Sequence, residues 1–147
     1  DFLIEFLESD KIKHKICYDS KNALKPLFAH NMKSKSNATN KKLLTYLLVR
    51  PRNLLDPQIA AWVYSPEDER YNFLSLVEKY LAEKIEQPTL FMSPYAILFK
   101  DMMLCFRLMV HLETLLEKEG LMKIFVEQVR ACNASEHKLI LPIRKWP

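Results

Sequence analysis

Glycine is nearly missing from this chain: of 147 residues only Gly120 is one. A backbone cradle for phosphate needs several glycines at fixed spacing, so loops of the nucleotide-binding kind are excluded. Cysteine is scarce and odd in number, and Cys17, Cys105 and Cys132 form no Cys-x-x-Cys pair. That argues against a disulfide framework or a zinc site and for a reducing compartment. No apolar run approaches the roughly 18–20 residues that span a bilayer. The chain opens on neither a methionine nor a signal peptide, because Asp1, Glu5 and Glu8 punctuate its first apolar residues. An opening inside an amphipathic pattern points to a chain cut from something longer. Without a secretory signal, the sequons at Asn37 and Asn133 read as chance.

Acidic residues are absent between Asp19 and Asp56, while Lys21, Lys25, Lys33, Lys35, Lys41, Lys42, Arg50 and Arg52 are all basic. The net charge of +4 conceals this segregation. Such a block can attract nucleic acid, and it is also what a solvated loop looks like, which is the better reading. With 49% hydrophobic residues the chain can bury one core as one domain. There are no internal repeats and no low-complexity segments.

Phe2, Leu3, Phe6 and Leu7 share a helical face, which predicts a helix to about Ser9. From Lys11 to Asp19 the pattern alternates, with Ile12, His14, Ile16 and Tyr18 on one side, and predicts a strand. Asp19-Ser20 then caps a helix whose Ala23, Leu24, Leu27 and Phe28 point to one side. His30 to Lys42 reads as a loop or insertion, and Leu43 to Val49 as a strand leading into the next cap. Phe73 to Leu81 predicts an amphipathic helix.

The strongest period runs from Pro94 to Gly120, a natural C′ residue. Leu98, Met102, Cys105, Met109, Leu112 and Leu116 form a seam, and Phe99, Met103, Phe106 and Val110 a second stripe, so most of this helix is expected to be buried. A methionine-rich helix also suits an adaptable partner groove, although core is the better reading. Leu121 to Val129 gives a last short helix.

Between these lies the segment on which the rest hangs, Leu54 to Asp68. Asp56 is a good N-cap, Pro57 fits the first helical position, Ile59, Ala60, Trp62 and Val63 form an apolar face, and Ser65-Pro66 ends the helix. The bland reading is a capped helix that docks Trp62 into a core. The histidines offer no ligand pair at i, i+4, and no serine or cysteine has a sequence partner for nucleophilic work. Carboxylates remain. Asp19 at a strand end, the Asp56 cap and Asp101 on the long helix follow the order of a nuclease core. There, acidic side chains hold two metal ions about 4 Å apart. Asp56 is already explained as a cap and Asp101 as a solvent-facing residue.

Leu55-Asp56-Pro57-Gln58-Ile59-Ala60-Ala61-Trp62-Val63, Ser65-Pro66-Glu67-Asp68 and Leu76-Val77-Glu78-Lys79-Tyr80 together resemble the exonuclease-like region of family A DNA polymerases. The closest likeness is to the branch holding the nu polymerases, then the theta polymerases. Lys118-Glu119-Gly120-Leu121 and Ile124-Phe125-Val126-Glu127 are similar to the helix pair that links this region to the polymerase thumb. The resemblance covers roughly Phe2 to Gln128. It implies an α/β, ribonuclease-H-like 3′–5′ exonuclease fold, truncated at its first strands and therefore mostly helical. It also implies a domain over 1–128 and an irregular, unrelated tail over 129–147.

The same resemblance implies a dead proofreading site. Proofreading members carry Asp-x-Glu on an early strand, which this chain does not contain. Their Asn-x-Lys-x-Asp pattern corresponds to Asp19-Ser20-Lys21-Asn22-Ala23, with Ala23 in the place of the metal-binding aspartate. Their Tyr-x-x-x-Asp pattern matches Tyr95 with Phe99, or in the other register Ala96 with Lys100. Methyl, phenyl and ammonium groups cannot bind a hard divalent cation. The expectations are a fragment with no catalytic residues, metal or cofactor of its own, Mg2+ belonging to the parent polymerase. Its partners would be the missing polymerase domain and, weakly, DNA through Lys33, Lys35, Lys41, Lys42, Arg50 and Arg52. It would lie in the nucleus, with no membrane and no small-molecule substrate, and Asp56, Pro57 and Trp62 would be a structural signature. The alternative is a helical protein-interaction module with no nucleic-acid role.

Overall fold

A computed structural model gives the fold and describes residues 2–26, 51–85 and 93–134. In chain order the elements are α1 (Phe2–Glu8), β1 (Lys15–Ile16), α2 (helical from 20 through 26), β2 (Leu54–Leu55), α3 (Pro57–Tyr64), α4 (Phe73–Leu81), α5 (Pro94–Lys118) and α6 (Met122–Ala134). The described chain is thus mostly helical, with one parallel pair of strands. Lys15 lies opposite Leu54 and Ile16 opposite Leu55. The pair is held by Lys15 N–H to the Asn53 carbonyl (2.9 Å) and Cys17 N–H to the Leu55 carbonyl (3.0 Å).

Local chemistry sets the helix ends. Asp56, Asn72 and Ser93 cap α3, α4 and α5, each accepting an amide from the first turn, and Pro57 and Pro94 occupy opening positions where no N–H is needed. At the far end of α5, Gly120 adopts φ 69. This left-handed residue lets Leu121 N–H reach the Leu116 carbonyl (2.8 Å) and Gly120 N–H the Glu117 carbonyl (3.1 Å), closing the orphan carbonyls of the last turn.

The core forms where α3 and α4 pack on α5 and α6 closes against α3 and α5. Ala60 and Ala61 are fully buried, and their small side chains let α3 approach its neighbours closely. Trp62 is only half-buried at the edge of this contact, so the alanines and Ile59, rather than the indole, anchor the helix.

On α5 the buried residues are Leu104, Leu108, Met109, Leu112 and Leu116. The expected burial of most of this helix is therefore overturned. Leu98 and Met102 of the predicted seam are exposed, and so is the whole second stripe of Phe99, Met103, Phe106 and Val110. The buried face instead takes in Leu104 and Leu108, which belong to neither predicted stripe, and the neighbouring elements leave the first part of the seam and all of the second stripe uncovered.

The final helix runs past its expected end. Phe125 and Val129 are buried and Cys132 packs beside them, on one face at i, i+4 and i+7. Residues 129–134 consequently belong to the helical domain, and the irregular tail expected from 129 does not begin there. Residues 135–147 lie outside the described residues, as does the strand expected over Leu43 to Val49. The strand that enters the Asp56 cap is Leu54–Leu55.

The predicted strand over Lys11 to Asp19 contracts to two residues, and Lys15, on the side opposite Ile12, His14, Ile16 and Tyr18, is buried at 4% exposure. Its ammonium donates to the carbonyls of Ser9 (2.6 Å) and Arg52 (2.7 Å) and lies 6.0 Å from the centroid of the Phe6 ring. Arg52 N–H also donates to the Leu7 carbonyl (2.9 Å), so the end of α1 is strapped to the lead of β2. Replacing Lys15 with methionine keeps the stem but leaves two carbonyls without their donor. Urea unfolding is expected to show a loss of about 1–3 kcal/mol. An unchanged midpoint would mean that the ammonium contributes nothing.

Candidate functional site

Both strands end at the same place, and Asp56 stands there. β2 runs directly into it, and β1 ends two residues before Tyr18 and three before Asp19. In open parallel sheets this carboxyl edge is where ligands are bound. Asp19 takes a left-handed conformation, φ 49, which an aspartate tolerates better than most residues. The turn aims the first amides of α2 at the Asp56 side chain.

That carboxylate is 1% exposed and serves two helices. Its Oδ1 accepts from Gln58 N–H (2.9 Å), in its own helix, and from Asp19 N–H (3.3 Å). Its Oδ2 accepts from Ser20 N–H (2.7 Å), at the start of α2, and the Ser20 hydroxyl also bonds to the carboxylate. A carboxylate has about four lone-pair sites. Donors from this chain therefore fill them. Burial raises the carboxyl above the usual range, and the hydrogen bonds from Ser20, Gln58 and Asp19 oppose that rise.

Around this node the chain gathers groups that are remote in sequence. Cys17, Cys105 and Cys132 all lie near enough to feel the Asp56 charge, and none is in a disulfide. Burial first, and then the Asp56 charge, pushes Cys17 and Cys105 up to about 11. Thiols so placed stay protonated at neutral pH and are poor nucleophiles and poor metal ligands. Tyr18 donates its hydroxyl to the Tyr71 carbonyl, which also accepts from Gln58 Nε2 (3.3 Å), and Tyr71 donates to the Ser65 carbonyl (2.6 Å). Tyr18 also meets Phe73 edge to face, with centroids 5.2 Å apart. The strand ends, α3 and the start of α4 are knitted together by side chain to backbone bonds.

The other predicted positions lie apart from this node or outside the described residues. Ala23 is exposed on α2, and Phe99 and Lys100 are exposed on α5. Lys33, Lys35, Lys41, Lys42 and Arg50 lie outside the described residues. Arg52 is within them, and its guanidinium pairs with Asp10 on the surface. Asp101 is half-buried, not turned fully to solvent. On α5 the group that feels the Asp56 charge is the Cys105 thiol.

The donor set does not suit a pair of divalent cations. The Asp56 oxygens are occupied, the thiols hold their protons, and among the described residues no group of three His, Cys, Asp or Glu side chains is placed to hold a metal. What the arrangement does chemically is bury one carboxylate as a shared cap. Ser20 and the three cysteines were not legible as its neighbours, because nothing local in the sequence ties residues 17, 20, 105 and 132 to residue 56. No protein-family model, curated protein or solved structure matches this chain.

Proposed function

We propose that the chain is a non-catalytic, exonuclease-like domain of a family A DNA polymerase, nu-like before theta-like, that braces the polymerase module in repair or translesion synthesis. On this reading it works in the nucleus and touches DNA weakly through its basic block, while Mg2+ serves the parent's polymerase site. The observation that carries it is the state of Asp56. The aspartate at the centre of the family-like segment sits at the carboxyl edge of the strands, yet its oxygens are taken by two helix starts, and the group on α5 that feels its charge is a thiol, Cys105.

The test is binding and cleavage of single-stranded DNA by the purified chain. Weak binding that falls with salt is expected, together with no cleavage in Mg2+ or Mn2+. If Lys33, Lys35, Lys41 and Lys42 each meet a phosphate, changing all four to alanine flattens the log–log salt dependence by up to about three. Unchanged affinity removes the DNA role, and metal-dependent cleavage removes the non-catalytic reading.

A second reading, a helical interaction module, is favoured by a different observation. α5 carries an exposed apolar stripe in addition to the one packed under α3. That module would show no salt-sensitive binding to DNA.

A further inference from the structure

The first five turns of α5 expose Tyr95, Leu98, Phe99, Met102, Met103, Phe106 and Val110, from 45% at Met103 to 83% at Tyr95. At about 100° per residue, all of these but Leu98 fall within an arc of about 100°, centred roughly 140° round the helix from the buried face. The stripe is about 24 Å long. At roughly 200 Å² for each large side chain, the six residues of the arc present on the order of 700 Å² of mostly apolar surface in one copy. That is more than the largest patch on most monomers, roughly 300–600 Å². It is also about what one partner contributes to a stable interface of standard size, roughly 800 Å².

The order of residues within the stripe says what fits it. Tyr95 and Val110 are equidistant from the midpoint between Met102 and Met103, and so are Phe99 and Phe106. A two-fold axis through that midpoint sets two antiparallel copies of α5 face to face. Phe99 then meets Phe106 of the second copy, Tyr95 meets Val110, and the flexible methionines meet at the axis. The large ring of Tyr95 is matched by a small side chain. On the flank, Arg107 is already paired with Glu83 of its own chain (2.5 Å), which limits repulsion from Lys100 of the other copy. We infer that this face of α5 is a homodimer interface, an isologous antiparallel pairing centred between Met102 and Met103. The inference stands on the exposed stripe and is independent of the polymerase reading.

Sedimentation equilibrium of the full chain, with circular dichroism to confirm folding, tests it. The wild-type chain is expected to be dimeric at micromolar concentration. Phe99→Glu or Phe106→Lys alone should raise the dissociation constant roughly 30-fold or more, as losing a central aromatic anchor does. The double variant in one chain should recover most of the affinity, because each new glutamate then faces a new lysine across the axis. A monomeric wild type overturns the inference, whether the face is covered by another part of the chain or by a different protein. Dimerisation unaffected by the single variants removes the face, and failure of the double variant to recover removes the pairing.

Discussion

Asp56→Ala is expected to destabilise the chain by roughly 3–5 kcal/mol, because the amides of Ser20 and Gln58 lose a charged acceptor inside the protein. A normal N-cap loss costs about 0.5–2 kcal/mol, and here one side chain caps two helices. Against a total stability of about 5–15 kcal/mol for a domain, that is a large share. Asp56→Asn separates the two caps. The Asn oxygen can still accept from Gln58 N–H, but its amide group would face Ser20 N–H, donor against donor. Its loss should fall between wild type and Asp56→Ala. The pH dependence has a definite sign. Burial raises the Asp56 carboxyl in the folded state, so the folded chain binds a proton that the unfolded chain has released. The resulting stability is fully present below the unfolded value of about 4 and is lost as pH rises through the higher folded value. The difference between wild type and Asp56→Asn in urea unfolding should therefore shrink across the window just above the ordinary carboxylate range and be flat beyond it. A difference that grew with pH would contradict the burial-dominated account.

The parts of the structure that were legible in the sequence are those set by a few adjacent residues. Asp56-Pro57, Ser93-Pro94 and Gly120 mark helix ends because capping and positive φ are local matters. The cap role expected for Asp56 is the one the hydrogen bonds display. The burial of Lys15 is not a local matter. Alternation assigns lysine to solvent, whereas here two carbonyls from remote segments hold its ammonium inside. The second start capped by Asp56 was equally hidden, since it depends on β1 and β2 lying side by side. The helix from Met122 extends to Ala134 because Val129 finds the core, an outcome that periodicity over the last few residues was too short to signal. The long helix is the most instructive case. Its sequence carries two apolar stripes, and amphipathicity alone cannot say that neighbours exist for only one of them.

Those two faces of α5 should answer truncation in opposite ways. Leu112 is fully buried in the contact with the other helices, so Leu112→Ala removes about three carbons from a packed site and leaves a cavity. A loss of roughly 2–5 kcal/mol is expected, the spread reflecting how far the walls relax. Phe106, six residues earlier on the same helix, is 52% exposed. At a concentration low enough to keep the chain monomeric, Phe106→Ala should lie within about 0.5 kcal/mol of wild type, helped by the better helix propensity of alanine. Raising the concentration should then open a gap between Phe106→Ala and wild type, because only wild type gains stability from association by mass action. The gap for Leu112→Ala should not depend on concentration in that way. A core-sized loss for Phe106→Ala in the dilute monomer would show that the exposed stripe is covered within one chain, and would replace the picture of an open face with that of a second core.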